Sequence, residues 1–141
     1  MRVVVDTNIW ISGLLWRGLP WKLLHRARTQ QVEICMTPPM LEELGRVLAY
    51  SRLQLRISQL GLRAEELVAY AMDLATLFEI LPTKSNVPLV AADPDDDMFI
   101  HCALIANARY LISGDSHLLD LKQYAQITIL TVQEFFEQPF A

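Results

Sequence analysis

The chain of 141 residues has the length of one domain, and its apolar fraction of 52% is sufficient for a core without disulfides or structural metal. It contains no apolar run of the roughly 18 residues that a membrane-spanning helix requires, so the sequence predicts no such helix. The first ten residues lack a signal-peptide pattern. We therefore expect a single domain over residues 1–141, located in the cytoplasm.

The net charge of −4 is unevenly distributed along the chain. Residues 1–63 hold nine Lys/Arg and four acids, a balance of +5, whereas residues 64–141 hold three Lys/Arg and twelve acids, a balance of −9. This asymmetry suits a protein that contacts phosphates with one part and binds cations with another, although it also occurs by chance in helical proteins.

Short apolar strands alternate with helices along the chain, which predicts a parallel sheet covered by helices on both faces. Pro20, Pro38 and Pro39 fit early helix positions, Thr37 and Thr131 fit helix caps, and Gly61 marks a break. The predicted strands are 3–5, 32–36, 78–81, 110–112 and 127–130; the predicted helices include 40–60, 63–79, 96–108, 116–122 and 131–138. The predicted fold is a three-layer α/β/α domain.

Two acids directly follow predicted strands. Asp6 comes after Val3–Val5, and Asp115 follows the strand 110–112. In parallel sheets, ligand sites gather beyond the carboxyl ends of the strands, so the two carboxylates are candidates for one site. Each could equally serve as a helix N-cap, and the sequence alone leaves both interpretations open.

Helical geometry separates Glu43 from its neighbour Glu42. On a helix, Met40, Leu44 and Leu48 form the buried stripe, and Glu43 lies at its edge. Glu42 falls almost opposite, four residues before Arg46, where an exposed ion pair would suit it. Glu43 is therefore the candidate for the site.

The same geometry selects Asp96 within the acidic run at 95–97. Asp96 lies on the helix face that also carries Phe99 and Ile100, whereas Asp97 points about 100° away. Acids at a helix N-terminus also stabilise the helix dipole, so a purely structural role for the run stays open.

If the four acids converge, they require a cation. Two like charges 4 Å apart repel by about 4 kcal/mol at an effective dielectric of 20, so the cluster needs a metal or raised pKa values. A set of oxygen ligands favours Mg²⁺ or Mn²⁺ over zinc.

Three segments carry a resemblance to a known family: VVVDTNIWISGLL, PPMLEELGRVL and DPDDDMFIHCALIANARYLISGDSHLL. In this order and spacing, the chain resembles PIN-domain ribonucleases, particularly the VapC-like toxins of bacterial toxin–antitoxin pairs. The resemblance implies an α/β/α PIN-like domain with a central parallel sheet and a Mg²⁺- or Mn²⁺-dependent endoribonuclease. Carried over by position, it gives Asp6, Glu43, Asp96 and Asp115 as catalytic acids, Asp6, Asp96 and Asp115 as metal ligands, and Asn8 and Ser113 as supporting residues.

Several basic residues and one apolar segment suggest how the protein binds its substrate and partners. Arg17, Lys22, Arg26 and Arg46 are candidates for binding RNA phosphates, with ordinary solubilising charge as the alternative. The resemblance implies a protein antitoxin as a possible partner. Together with the apolar segment 9–24, it also favours a homodimer or higher oligomer.

The same residues favour or disfavour three other functions. A catalytically inactive PIN-like module that binds RNA or protein would be expected to lose acids, and all four are present. A phosphoacceptor domain based on Asp6 is disfavoured because Lys84 and Lys122 are poorly placed, and a dehalogenase-like phosphatase would need Asp-x-Asp where this chain has Asp6-Thr7-Asn8. Cys35 and Cys102 have no metal-ligand spacing and are predicted to be core residues.

Overall fold

A six-stranded sheet organises the protein in a computed structural model that describes residues 1–80 and 97–139. The order across the sheet is β3-β2-β1-β4-β6-β5, with all pairings parallel except β5 with β6. The strands are β1 (Arg2–Val5), β2 (Glu33–Met36), β3 (Ala75–Leu77), β4 (Tyr110–Ile112), β5 (Gln123–Tyr124) and β6 (Ile127–Leu130).

Helices cover the sheet in the predicted three-layer α/β/α arrangement. Those of the described residues are α1 (Thr7–Leu15), α2 (Leu19–Arg28), α3 (Pro38–Leu48), α4 (Ser51–Gln59), α5 (Ala64–Leu74), α6 (Asp97–Ile105), α7 (Ser116–Leu119) and α8 (Val132–Phe136). None of the helices in this described part is long and apolar enough to cross a membrane.

The centre of the sheet is the most buried part of the fold. Val3, Val4 and Val5 of β1 are fully buried, because both faces of a central parallel strand are covered by helices. β1 pairs with β4 so that Val5 lies opposite Ile112. The backbone N–H of Asp6 continues this ladder by donating to the Ile112 carbonyl at 3.1 Å. The residues that follow the two strands are therefore brought together at one edge.

The predicted helix 63–79 and strand 78–81 are wrong in their boundaries. Helix α5 ends at Leu74, and the chain passes directly into β3, which pairs with β2. The helical spacing of apolar residues continues to Phe78, which hid the end of the helix. β3 is an edge strand whose last two residues are exposed, so it lacks the apolar run that marks a buried strand. Position 81 lies outside the described residues.

The predicted helix 40–60 consists of two helices. The chain turns at Ala49 and Tyr50 between α3 and α4, and Tyr50 has an extended backbone. The break at Gly61 is confirmed, since this residue has φ of +72°, a conformation that glycine adopts without strain. The short antiparallel strand β5 was not predicted.

The predicted caps have different outcomes. Thr131 accepts from the Glu134 N–H at 3.1 Å while Glu134 accepts from the Thr131 N–H at 2.9 Å, a complete capping box. Thr37 precedes α3 as expected, but its side chain makes no capping hydrogen bond. With prolines in the first turn, fewer backbone N–H groups are available to it.

Candidate active site

Asp6 is the most deeply buried acid among the described residues, with 5% of its surface exposed. It stands at the end of β1 and caps α1, since its Oδ1 accepts from the Ile9 N–H at 3.0 Å. The predicted cap role is thus real, but it uses only one oxygen. The other carboxylate oxygen faces β4.

Ser113 and Gly114 donate hydrogen bonds to that second oxygen of Asp6. The Ser113 hydroxyl donates to Oδ2, and the Gly114 N–H donates to the same atom at 3.3 Å. The Ser113 Oγ in turn accepts from the Asp115 N–H at 2.9 Å. The fully buried Ser113 therefore connects the acid after β1 to the segment that carries the acid after β4.

Burial raises the pKa of Asp6 above its ordinary value, and the nearby negative charge of Asp115 contributes in the same direction. The hydrogen bonds from Ser113, Ile9 and Gly114 act against this change by stabilising the ionised carboxylate. A buried acid whose pKa stays raised despite three donors is in an environment that a cation would relieve.

Asp115 itself is partly exposed and caps α7. Its Oδ1 accepts from the His117 N–H at 2.8 Å and lies 3.5 Å from the His117 Nδ1. Both strand-end acids therefore serve as N-caps, and their electrostatic coupling also supports a common site. The two roles are compatible because each carboxylate has two oxygens.

Glu43 is fixed by contacts to both of its carboxylate oxygens. The Thr7 hydroxyl donates to Oε2 at 2.5 Å, and Arg46 Nη2 lies 3.4 Å from Oε1. Only 15% of the Glu43 side chain is exposed, whereas Glu42 is exposed as predicted. The predicted pairing of Glu42 with Arg46 is wrong, since Arg46 pairs with Glu43 at i,i+3.

Thr7 was not among the predicted residues, although its hydroxyl contacts Glu43. The family resemblance implied a supporting role for its neighbour Asn8, which is exposed on α1, while Thr7 is buried and connects α1 to Glu43 on α3. No local signal separates Thr7 from Asn8, since both lie in the first turn of α1, and the packing of α1 against α3 decides which of them meets Glu43.

The fourth predicted acid, Asp96, lies outside the described residues. Asp97 is the first residue of α6, and Phe99 and Ile100 of the same helix are buried as predicted. Within residues 1–80 and 97–139, no group of three His, Cys, Asp or Glu side chains is placed to hold a metal ion. Of the four predicted acids, the described part of the chain thus contains Asp6 and Asp115, whose charges interact, and Glu43, which is hydrogen-bonded to Thr7, the residue after Asp6.

The donor chemistry of these residues fits a hard divalent cation. All the candidate ligands are carboxylate oxygens, and the Asp6 carboxylate is desolvated with a raised pKa. Such donors suit Mg²⁺ or Mn²⁺, which prefer oxygen ligands and retain bound waters.

The predicted substrate-binding cations are spread over several elements. Arg46 lies beside Glu43, Arg17 stacks over Trp21 at 5.1 Å, and Arg26 stacks over Phe136 at 5.2 Å. Lys22 is exposed on α2. Arg46 is thus the predicted cation that the structure places in contact with a predicted acid.

The fold is an α/β domain in which Asp6 and Asp115 follow the neighbouring parallel strands β1 and β4. Residues 2–117 match the family model described as the PIN domain, so the chain belongs to the PIN-domain family. It is 27% identical, over 98% of its length and 91% of the relative, to an uncharacterized protein of Methanocaldococcus jannaschii.

A solved structure shares the fold. It is the crystal structure of VapBC2 from Rickettsia felis bound to a DNA fragment from their promoter, with a TM-score of 0.62. The similarity covers 92% of this chain and 97% of that chain at 12% sequence identity. The predicted membership of the PIN-domain family and the predicted fold class are confirmed.

Proposed function

We propose that this protein is a metal-dependent ribonuclease that hydrolyses RNA phosphodiester bonds, with Asp6, Glu43, Asp96 and Asp115 as its acids. The observation that carries the proposal is the buried Asp6 carboxylate. Its pKa is raised, it is coupled to Asp115, and it is held by Ser113 at the carboxyl edge of the sheet. Membership of the PIN-domain family supports the same conclusion.

Asp6, Asp96 and Asp115 would hold Mg²⁺ or Mn²⁺, which supplies stabilisation of negative charge on the phosphate and activation of water. The chain's own contribution is position. Asp6 is fixed by hydrogen bonds to both of its oxygens, so it reorganises little during a reaction. Glu43, oriented by Thr7, would orient the attacking water and accept its proton.

We further propose that the protein is the toxin of a toxin–antitoxin pair, with a protein antitoxin as its partner. The VapC-like motifs and the fold shared with the VapBC2 structure support this assignment. We also propose that each chain forms one PIN-like domain over residues 1–141. The chains would assemble into a homodimer or higher oligomer, and the protein would act in the cytoplasm.

RNA cleavage in the presence of metal tests the activity. Structured RNAs are incubated with the protein in Mg²⁺, in Mn²⁺ or in EDTA, and fragments are resolved by sequencing gels. We expect cleavage by the wild type with either metal, none in EDTA, and a loss of at least about 100-fold in Asp6→Asn. Asp120→Asn, which changes an exposed acid near the same edge, is the matched control. Equal cleavage by wild type and Asp6→Asn contradicts the proposal.

A further inference from the structure

Two long stretches of the chain contain no acidic residue at all. Residues 7–32, which form α1 and α2, carry four Lys/Arg and no acid. Residues 44–63, which include α4, carry four arginines and no acid. Arg46 and Arg63 pair with Glu43 and Glu66, so Arg52 and Arg56 supply the positive charge of the second stretch, in a protein whose net charge is −4.

Exposed aromatic rings accompany this charge. Trp16, Trp21 and Tyr50 expose 46%, 37% and 44% of their surfaces. An arginine lies over each ring: Arg56 over Trp16 at 5.5 Å, Arg17 over Trp21 at 5.1 Å and Arg52 over Tyr50 at 5.6 Å. We call these six residues the arginine–aromatic surface.

Contacts show that the surface is continuous. The Arg56 Nε donates to the Leu15 carbonyl at 2.8 Å, which ties α4 to the end of α1 beside Trp16. Trp16 and Arg17 are adjacent in the turn that leads to Trp21 on α2. Arg52 and Arg56 are four residues apart on α4 and therefore share one helix face.

The surface also leads toward the acids. Arg46, in the last turn of α3, pairs with Glu43, and Tyr50 follows one turn later, where the Tyr50 N–H donates to the Val47 carbonyl at 3.0 Å. At a rise of about 1.5 Å per residue, Arg46 is displaced from Glu43 by about 5 Å along the helix. Arg46 therefore lies between Glu43 and Tyr50 in the chain, between the predicted acids and the arginine–aromatic surface.

We propose that the arginine–aromatic surface binds a single-stranded segment of RNA and guides it to the acidic site. The chemistry of the surface matches both components of such a ligand, since arginines contact phosphates and exposed rings stack on unpaired bases. An acidic protein would match the charge but has no need of three exposed rings under arginines. The inference rests on the proposed function for its destination, although binding itself does not require catalysis.

Binding measured in EDTA separates the surface from the chemistry. A fluorescent single-stranded RNA and its perfect duplex are titrated with the full chain, and anisotropy gives Kd for each. The variants are Trp16→Ala with Tyr50→Ala, and Arg52→Ala; Leu121→Ala and Lys122→Gln, both near β5, are the exposed controls. Polyphosphate serves as a ligand that has charge without bases.

We expect the double aromatic variant to weaken binding of the single strand by at least about tenfold and to leave binding of polyphosphate unchanged. Arg52→Ala should weaken binding of both ligands and lower the salt slope by about 0.7. Wild-type affinity for the single strand in these variants, or equal losses for RNA and polyphosphate in the aromatic variant, overturns the inference.

The same proteins keep the two proposals distinguishable. If the wild type cleaves RNA with Mg²⁺ but the surface variants bind RNA normally, the inference fails and the proposed function stands. If the surface variants lose RNA binding but no metal supports cleavage, the proposed function fails and the surface remains an RNA-binding surface.

Discussion

The Ser113 hydroxyl donates a hydrogen bond to the Asp6 carboxylate across the pair of strands β1 and β4. The residues are 107 positions apart in the chain, and both are buried. Since the same oxygen of Ser113 accepts from the Asp115 N–H, this one hydroxyl orders both strand-end acids.

Removing that hydroxyl should therefore affect both stability and activity. Ser113→Ala leaves the buried Asp6 carboxylate with fewer donors, so we expect the free energy of unfolding to fall by about 1.5–3 kcal/mol. Metal affinity or cleavage rate should fall by about 10- to 100-fold, as is typical when a partner of a metal ligand is removed. Urea unfolding and cleavage assays measure the two effects. Ser113→Thr keeps the hydroxyl and should retain activity; if it is as impaired as Ser113→Ala, the hydrogen bond is not the cause.

The adjacent acids Glu42 and Glu43 provide a matched pair of substitutions. Glu43→Gln changes a carboxylate that Thr7 and Arg46 hold in place, and we expect the cleavage rate to fall by about 100-fold or more. Glu42→Gln changes an exposed side chain on the same helix and should leave the rate unchanged. Single-turnover cleavage of one RNA by both variants makes the comparison. Equal rates for the two variants would refute the assignment of Glu43.

The stability of the metal-free protein should depend on the ionisation of Asp6. Because its pKa is raised in the folded state, the native protein retains this proton to higher pH than the unfolded chain does. The corresponding stability is fully present below the ordinary pKa of Asp and is lost as the pH rises through the raised folded pKa.

Asp6→Asn should remove this pH dependence. Asparagine can keep the cap on α1 and does not titrate, although its NH2 replaces the oxygen that accepts from Ser113 and Gly114, so in EDTA we expect the Tm of Asp6→Asn to change less with pH than that of the wild type. Added Mg²⁺ should stabilise the wild type more than the variant. Differential scanning fluorimetry across the acid range, with and without Mg²⁺, measures both effects, and parallel pH profiles for the two proteins would contradict the explanation.

Cys35 and Cys102 should be unreactive in the folded protein. Both are fully buried, and desolvation raises the pKa of each thiol to about 12, so very little thiolate exists at pH 8. We expect iodoacetamide at pH 8 to modify neither cysteine in the native protein and both in urea, as read by intact-mass spectrometry. Rapid alkylation of native protein would show that the core around them opens.

Much of the fold was predictable because its signals are local. A few neighbouring residues are enough to predict the strands at Val3–Val5 and 110–112 and the helix that Thr131 caps. The edge strands were not, since β3 is largely exposed and β5 has only two residues, so neither produces a buried apolar run.

The site divides in the same way. The positions of Asp6 and Asp115 after strands, and of Glu43 on a partly buried helix face, could be predicted from local patterns, whereas their assignment to one site stays a prediction. The bond from Thr7 to Glu43 spans 36 positions, and it depends on how α1 packs against α3, which no local pattern encodes. Arg46 forms its ion pair with Glu43 and not with Glu42, and this too depends on side-chain directions within about one helical turn.

Direct binding of Mn²⁺ tests the central claim, that Asp6 and Asp115 belong to one divalent-cation site. Free Mn²⁺ is titrated by electron paramagnetic resonance at neutral pH against the wild type, Asp6→Asn, Asp115→Asn and the control Asp120→Asn. We predict saturable binding by the wild type and the control, and an affinity at least about tenfold weaker in each of the other two variants. Unchanged Mn²⁺ affinity in Asp6→Asn and Asp115→Asn would contradict the account.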